Sequence, residues 1–333
     1  ARRRLPHFVF SYVDGGAEDE ITLNGNRAAF GRLQFRPRTL VDVSKRDLST
    51  QLLGKRSALP AVVGPTGLNG LSWRDGDLEL ARAATAAGVP FVLSTVSMSF
   101  IEDIAREAPG RLWLQAYVFS ERRITDALIQ RALAAGFEGL ILTSDFPVPG
   151  KRERDWRTGL LPKQQLTLAT RLDMLMHPRW LATVATRRPR FVNIERELGP
   201  GQDVNNFVGH GMFDPSFRWD DLKHFRDLWP RKLLLKGVLR ADDAERAAAL
   251  GVDGLVLSNH GGRQLDSAIS GIDALPEVAR AVGGRVSLLV DGGVRRGSDI
   301  AKAIALGAEG VLLGRAPVYG LAAGGAAGVT RAI

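Results

Sequence analysis

The residues best suited to catalysis in this chain stand directly after short apolar runs. His260 lies in one such polar stretch, Arg263 follows three residues later, and Asp145 follows another run. A histidine with a carboxylate partner suits a general base near neutral pH, and a nearby guanidinium group suits an anionic substrate. A single histidine is more often structural, so this interpretation requires a fold that brings the three residues to one face.

Two glycine-rich stretches near the C-terminus predict a phosphate site. The first is Asp291-Gly292-Gly293-Val294-Arg295 and the second is Gly314-Arg315. Backbone N–H groups, a helix N-terminus and a fixed positive charge can together hold a phosphate at such positions. Either motif alone could simply form a tight turn, but the two on adjacent strands favour phosphate binding.

The apolar runs predict eight strands, most of them followed by an Ala-rich helical stretch. Eight consecutive strand-helix units are typical of a closed barrel, whereas an open doubly wound sheet usually has fewer strands and a reversal of order. The sequence therefore predicts an α/β protein, with a single (β/α)8 TIM barrel as one domain over residues 1–333. The predicted strands cover residues 61–64, 91–94, 112–117, 140–143, 233–236, 255–258, 288–290 and 311–314.

A long insertion after the fourth predicted strand, at about residues 151–231, exceeds an ordinary connection. It follows the C-terminal end of a strand, so we expect it to overhang the face where barrel enzymes place their active sites. Within residues 163–213, residues 172–184 mix Leu, Met and Trp with Arg, and residues 187–190 add charge. This composition is typical of segments that lie on acidic lipid, and a mobile lid over the site is an equal alternative.

The composition excludes several classes of site. The chain has no cysteine, which excludes disulfides, thiolate metal sites and a cysteine nucleophile, and we expect no metal. Lys and Arg outnumber Asp and Glu by nine, which favours anionic ligands. Because the basic residues are spread along the chain, nucleic-acid binding is not expected.

The sequence also bears on localisation. No apolar run reaches the ~18 residues that a membrane span requires, and no signal peptide is recognisable at the start. We therefore expect a cytoplasmic protein, with peripheral contact at the inner face of the cell membrane if residues 163–213 lie on lipid.

The run SNHGGRQLD at residues 258–266 closely resembles the signature of the FMN-dependent 2-hydroxy acid oxidases and dehydrogenases. This family includes glycolate oxidase, flavocytochrome b2 and the bacterial L-lactate and (S)-mandelate dehydrogenases. Other motifs in family order cover nearly the whole chain, at residues 15–20, 64–67, 115–117, 236–237 and 291–296. The resemblance implies a barrel enzyme with FMN that oxidises an L-2-hydroxy acid to the 2-keto acid. Relative to the family, the chain starts a little late and ends just inside the last barrel helix.

The resemblance implies FMN contacts for residues at the strand ends. Lys236 would lie near N1 and O2 of the flavin ring, where negative charge develops on reduction. The residues implied to surround the ring and the ribityl chain are Pro65, Thr66, Gly67, Ser94, Gln115, Thr143, Lys236 and Ser258. Those implied to hold the ribityl tail and the phosphate are Asp291, Gly292, Gly293, Arg295, Gly314 and Arg315.

The resemblance further implies which residues bind the substrate. Arg152 and Arg263 would bind the carboxylate, because guanidinium groups match it in bidentate fashion. Tyr12 and Tyr117 would supply hydroxyl contacts at the reaction centre. Without the resemblance, Arg152 would be interpreted as part of a solvated charge cluster at residues 151–154.

The same family pattern implies the roles of His260 and Asp145 in proton transfer. His260 would take a proton from the substrate, and Asp145 would orient the ring and stabilise the imidazolium. The proton could come from the α-carbon, leaving a carbanion, or from the hydroxyl while hydride passes to flavin N5. Both schemes use the same residues.

The motifs divide between two substrates. Val96 stands where several oxidases of small hydroxy acids carry a tryptophan, so we assign it to a roomier substrate pocket. Residues 93–97, 149–150 and 206–215 resemble lactate dehydrogenases, whereas residues 64–70, 151–155 and 177–180 resemble mandelate dehydrogenase. The balance favours (S)-mandelate or a similar aryl hydroxy acid, with L-lactate as the alternative.

The electron acceptor and the assembly are likewise implied by the resemblance. Gly67, in place of alanine, resembles the membrane-associated dehydrogenases, which pass electrons to a quinone. An oxidase that uses O2 and forms hydrogen peroxide is the alternative. Family members often form homo-oligomers, commonly tetramers. The competing identities are another phosphate-binding flavin barrel and a non-catalytic basic module that binds lipid or nucleic acid.

Overall fold

The computed structural model describes residues 1–159, 167–184, 190–200, 202–204, 207 and 212–333. Eight parallel strands form a closed barrel in which the last strand pairs with the first. All eight predicted strands are confirmed, whereas the antiparallel hairpin that precedes them is not predicted by the sequence analysis. The strands are β1 (Thr50–Leu52) and β2 (Lys55–Ser57) in the hairpin, and β3 (Ala61–Val63), β4 (Phe91–Ser94), β5 (Leu112–Ala116), β6 (Gly139–Thr143), β7 (Lys232–Val238), β8 (Gly254–Leu257), β9 (Ser287–Val290) and β10 (Gly310–Leu313) in the barrel.

Helices precede the barrel, connect its strands and occupy the insertion. They are α1 (His7–Asp14), α2 (Ile21–Arg32), α3 (Gly76–Ala86), α4 (Ile101–Glu107), α5 (Arg122–Ala134), α6 (Glu153–Thr158), α7 (Leu168–Leu175), α8 (Pro178–Val184), α9 (Val192–Glu197), α10 (Leu222–Leu228), α11 (Ala241–Ala249), α12 (Gly271–Val282), α13 (Gly297–Ala305) and α14 (Arg315–Ala332). The ends of α12 follow from its sequence. The Ser270 hydroxyl accepts the Asp273 N–H at 3.2 Å, and Gly283 ends the helix with a φ of 54°.

One apolar side chain from each strand fills the inside of the barrel. These side chains form a buried cluster with Leu52 and Leu53 of the hairpin, which therefore closes the N-terminal end of the barrel. Trp113 is fully buried among them, and its indole N–H donates to Glu138 Oε1 at 2.9 Å. The eight residues of this apolar layer are Val62, Val92, Trp113, Ile141, Leu234, Val256, Leu289 and Leu312.

A second inward-facing layer follows two residues further along each strand, because side chains alternate between the two faces of a strand. Its members are glycine or polar residues, and they lie at the C-terminal ends of the strands, where barrel enzymes place their active sites. This polar layer consists of Gly64, Ser94, Gln115, Thr143, Lys236, Ser258, Asp291 and Gly314. Apart from Gly64, each is a residue that the sequence analysis assigns to FMN.

The outer side of the strands packs against the helices. Leu93, Leu114 and Leu142 of the strands share one large core cluster with Leu128 of α5 and Leu275 of α12. Both faces of each strand are therefore buried, which explains why the strands read as nearly continuous apolar runs.

The predicted long insertion lies between the end of β6 and the start of β7 and carries α6 to α10. It returns to the barrel where Phe213 forms an isolated antiparallel bridge with Phe119. The Asp214 N–H also donates to the Val118 carbonyl at 2.9 Å. Of the predicted lipid-contact or lid segment at 163–213, residues 163–166, 185–189, 201, 205–206 and 208–211 lie outside the described residues. None of the described helices meets the length and hydropathy that a membrane span requires.

Candidate active site

The polar layer is linked by side-chain hydrogen bonds around the barrel mouth. The Ser94 hydroxyl donates to Gln115 Oε1 at 3.1 Å, and Gln115 Nε2 donates to Thr143 Oγ1 at 2.8 Å. Lys236 Nζ donates to Ser258 Oγ at 2.9 Å. All five side chains are buried. The barrel thus brings together the residues that the sequence analysis places around the flavin ring.

Lys236 is the central charge of this layer. It is 3% exposed, and its Nζ lies 3.6 Å from Asp145 Oδ2 and 3.6 Å from Asp291 Oδ2. A buried ammonium group is stable only beside such counter-charges. Burial alone would raise the pKa of Asp145, but the charge of Lys236, together with the interaction and hydrogen bond with His260, outweighs it and lowers that pKa. The Asp145 carboxylate is therefore ionised at neutral pH.

His260 connects this charge cluster to the open end of the barrel. Its Nδ1 lies 2.9 Å from Asp145 Oδ1, and its Nε2 lies 3.2 Å from the Tyr117 hydroxyl. The backbone at His260 has a φ of 59°, and its N–H donates to Ser258 Oγ at 2.9 Å. Burial and then the charge of Lys236 lower the pKa of His260, against the opposing effect of Asp145. The imidazole is therefore neutral near pH 7 and able to accept a proton.

Two phenylalanines that the sequence analysis misses extend an aromatic cluster beside this histidine. The Phe146 ring centroid lies 5.4 Å from that of His260 and 4.3 Å from that of Phe213. Tyr117 packs against both phenylalanines at 5.0 Å. The only signal in the sequence is that Phe146 directly follows Asp145, because the insertion brings Phe213 back from a distant position. The Phe146 and Tyr117 rings thus place aromatic surface against the imidazole.

Arg263 and Arg152 lie together near the same mouth. Arg263 Nη1 donates to the carbonyls of Tyr12 and Gly15, at 2.8 Å each. The Arg263 guanidinium also lies 4.9 Å from the centroid of the Tyr12 ring. Burial and then the charge of Arg152 lower the pKa of Arg263. Two guanidinium groups that repel each other in a buried site favour an anionic ligand.

Asp155, which the sequence analysis also misses, lies beside Arg152 and within electrostatic range of Arg263. Its side chain is 8% exposed, and its Oδ2 is 3.9 Å from Arg152 Nη1. Burial raises its pKa, although the charges of Arg263 and Arg152 oppose the shift. One carboxylate is thus shared by two guanidinium groups.

Gly67 and Val96 form one wall near the Tyr12 hydroxyl. A Cβ added at Gly67 would lie 2.6 Å from Val96 Cγ2 and 3.5 Å from the Tyr12 hydroxyl oxygen. An alanine at this position would therefore require the Val96 side chain to shift. Thr66 is held in the preceding turn, where its hydroxyl donates to Asn69 Oδ1 at 2.9 Å. Pro65, in the same turn, is partly buried.

The predicted phosphate motifs lie at the ends of β9 and β10. Gly292 and Gly293 have φ values of 85° and 83°, and a Cβ at Gly293 would lie 2.2 Å from the Asn26 carbonyl oxygen. These glycines therefore form a tight turn. Arg315 donates to the carbonyls of Gly15 at 2.8 Å and Gly261 at 2.9 Å.

The two arginines of these motifs affect each other electrostatically. Burial, then the charge of Arg263 and, further down, that of Arg295, lower the pKa of Arg315 to about 10. Arg295 Nη1 donates to the Val294 carbonyl at 2.8 Å. This end of the site is rich in positive charge, as phosphate binding requires.

The loop at residues 258–266 is fixed to the N-terminal helices. Asn259 and Asn26 exchange two amide hydrogen bonds, of 2.8 and 2.9 Å. The Asp266 carboxylate accepts the N–H groups of Ile21 at 3.1 Å and Thr22 at 2.7 Å, and so caps α2 from another part of the chain. These contacts give Asn259 and Asp266 of the signature a structural role, although neither is assigned to catalysis or ligand binding.

The whole chain, residues 1–333, matches the family model described as FMN-dependent dehydrogenase. The chain belongs to this family. It is 49% identical over 329 residues to an (S)-mandelate dehydrogenase of Pseudomonas putida, covering 98% of this chain and 83% of the relative. It is 46% identical over 336 residues to an L-lactate dehydrogenase of Caulobacter vibrioides, covering 99% of this chain and 87% of the relative.

Solved structures agree with the fold. The monotopic membrane protein (S)-mandelate dehydrogenase matches with a TM-score of 0.94 at 47% identity, over 99% of this chain and 88% of that chain. A mandelate oxidase variant with (S)-mandelic acid matches with a TM-score of 0.82 at 36% identity, over 99% of this chain and 87% of that chain. The family resemblance and the (β/α)8 barrel predicted from the sequence are confirmed.

Family membership makes this chain an oxidoreductase that depends on FMN, and the polar layer fits that cofactor. Asp145 Oδ2 and Asp291 Oδ1 are buried without a hydrogen-bond partner among the described residues. Asp145 Oδ2 faces the Lys236 ammonium at 3.6 Å. A buried carboxylate oxygen without a donor is unfavourable, so Asp291 Oδ1, in the polar layer, suits a ligand that carries hydroxyl or N–H groups. The ribityl hydroxyls and ring N–H of FMN are such donors.

Proposed function

We propose that this enzyme oxidises an L-2-hydroxy acid to the 2-keto acid and that (S)-mandelate or a similar aryl hydroxy acid is its substrate. The observation that carries this proposal is the buried His260–Asp145 pair, which lies near Arg152 and Arg263. A neutral base beside two guanidinium groups suits a substrate that has both a carboxylate and a proton to lose.

The polar layer is proposed to surround the flavin ring and the ribityl chain, together with residues 65–67. Residues 291–293 and Arg295, with Gly314 and Arg315, would hold the ribityl tail and the phosphate. FMN, when bound, supplies the acceptor for two electrons. The buried charge of Lys236 stabilises negative charge that develops in this layer during the reaction.

The side chains that face the substrate have separate roles. Arg152 and Arg263 bind the carboxylate and so fix the position of the α-carbon. The hydroxyls of Tyr12 and Tyr117 add hydrogen bonds at the reaction centre. His260 accepts the proton at Nε2, since its Nδ1 is held by the Asp145 carboxylate.

An aryl substrate is favoured over L-lactate by the walls of the site. Phe146 lies beside His260 and packs with Phe213 into an apolar aromatic surface, and Val96 and Gly67 form a wall near the Tyr12 hydroxyl. The relative of higher identity is named for (S)-mandelate, while the one named for L-lactate is only slightly less similar. L-Lactate is therefore the second candidate.

We expect (S)-mandelate to bleach the yellow FMN-loaded enzyme without oxygen, with a kcat/KM at least ~10-fold above those of L-lactate and glycolate. The reason is the additional apolar surface that the aryl group buries. Anaerobic stopped-flow absorbance with the three acids measures this order.

The same experiment separates the parts of the proposal. Flavin that stays yellow with both mandelate and lactate would show that the reaction class is wrong, and faster bleaching by lactate would reverse the choice of substrate. We expect re-oxidation by a soluble quinone analogue to exceed re-oxidation by O2. Rapid formation of hydrogen peroxide would instead identify an oxidase.

The rate of flavin reduction should fall as the pH decreases through the pKa of His260. This pKa lies below the ordinary value of 6.5, and only the neutral imidazole accepts a proton. The rate is therefore expected to be level above about pH 7 and to decline below pH 6.5. Single-turnover reduction from pH 5 to 8.5 checks this; a midpoint above 6.5 would contradict the burial argument.

We also propose that the insertion rests on the inner face of the cell membrane. Leu168, Leu172, Leu175 and Met176 on α7 are 74%, 54%, 66% and 79% exposed. The neighbouring helix is anchored to the barrel, because Trp180 Nε1 donates to the Leu71 carbonyl at 2.7 Å. This arrangement suits an interfacial helix with its leucines in lipid. A homo-oligomer, by family resemblance a tetramer, belongs to the same proposal.

Leu172→Asp should weaken binding to vesicles that contain phosphatidylglycerol by on the order of tenfold, since it removes a leucine from the lipid contact. Co-sedimentation with the full-length FMN-loaded protein measures the bound fraction. Leu250→Asp is the matched control, because Leu250 is 39% exposed at the end of α11. Equal binding of all three proteins would exclude α7 as the contact.

A further inference from the structure

We propose that Gln264 is a positioning residue that sets both the His260–Asp145 and the Arg263–Arg152 pairs. Gln264 is 8% exposed, and its side-chain polar atoms contact one turn, residues 145–150. Nε2 donates to the carbonyls of Asp145 at 3.0 Å and Val148 at 2.9 Å. Oε1 accepts the N–H of Gly150 at 3.0 Å. The inference rests on the proposed function of the four residues that it positions.

The turn depends on outside support. Pro147 and Pro149 lack an N–H, so the turn can form few hydrogen bonds within itself. The Gln264 side chain therefore forms hydrogen bonds with backbone groups of the first, fourth and sixth residues of the turn. In this way a single amide side chain fixes the backbone conformation from Asp145 to Gly150.

The backbone of the turn also lies directly on the neighbouring loop. A Cβ added at Gly150 would be 2.3 Å from the Arg263 carbonyl oxygen and 2.9 Å from Gln264 Cα. No side chain fits between the two segments at this point. The contact at Gly150 and the three hydrogen bonds are separate observations of the same junction.

This junction joins the two loops that supply the proposed catalytic and carboxylate-binding groups. Asp145 begins the turn after β6, and Arg152 follows the turn by two residues. His260 and Arg263 lie on the loop after β8, and Gln264 directly follows Arg263 on the same loop. Each functional pair therefore has one member on each loop, and the relative position of the loops sets both distances. Misplacement by about 1 Å can lower a rate by on the order of 10²-fold.

Gln264→Met keeps the length of the side chain and removes all three hydrogen bonds. We expect FMN to remain bound, flavin reduction by (S)-mandelate to fall by on the order of 10²-fold, and the Kd for phenylglyoxylate to rise by about tenfold. Stopped-flow reduction gives the rate, and the change in flavin absorbance on titration gives the Kd. Gln202→Met is the matched control, because exposed Gln202 likewise accepts a backbone N–H, from Gly199, and donates to Glu121. It should change neither quantity.

Double-mutant cycles distinguish positioning from general damage. In an Asp145→Asn background, Gln264→Met should have little further effect on the reduction rate. In an Arg152→Met background, it should have little further effect on the Kd. Full additivity in both cycles would overturn the proposal, as would a Gln264→Met enzyme with unchanged rate and Kd.

Gly150→Ala tests the same junction without altering Gln264, and it covers the case in which Gln264→Met does not fold. Its Cβ meets the Arg263 carbonyl, so it should lower the rate and the affinity together. An effect on neither quantity would overturn the proposal. If instead the unmodified enzyme is not reduced by any 2-hydroxy acid, the proposed function fails and not the positioning of the loops.

Discussion

The site depends on a buried ammonium group. Lys236 lies inside the barrel with its Nζ 3.6 Å from carboxylates of Asp145 and Asp291. Those contacts make its burial tolerable, keep Asp145 ionised, and place Asp145 beside His260. The same charge helps lower the pKa of His260. Asp291 Oδ1 is buried without a hydrogen-bond partner among the described residues. One lysine thus lies beside the proposed base, its proposed orienting carboxylate and part of the proposed cofactor site.

Much of this arrangement follows from the alternation of side chains along parallel strands. The strands are buried on both faces, so each appears in the sequence as a short apolar run that ends in a polar residue. Ser94, Gln115 and Lys236 could be predicted as site residues because each is the polar exception at the end of such a run. The signature loop could be predicted because His260 and Arg263 combine a base with a cation in a polar stretch.

Other features depend on contacts between distant parts of the chain and have little local signal. The β1–β2 hairpin has two short strands with exposed Lys55 and Arg56, so no apolar run marks it. Phe213 reaches Phe146 and Tyr117, the aromatic neighbours of His260, only because the insertion returns to the barrel beside Phe119. Asp155 is one acid among many in the sequence, and only burial near two arginines distinguishes it. Contacts of this kind between distant residues cannot be predicted from the periodicity or the composition of the sequence.

The central claim is that the buried imidazole of His260 is the base for substrate oxidation. The most direct test is anaerobic mixing of FMN-loaded His260→Gln with (S)-mandelate and L-lactate in parallel with the unmodified enzyme. The account predicts normal flavin content and a reduction rate at least about 10²- to 10⁴-fold lower with whichever acid the unmodified enzyme oxidises. Reduction at a comparable rate would contradict it and show that the base lies elsewhere.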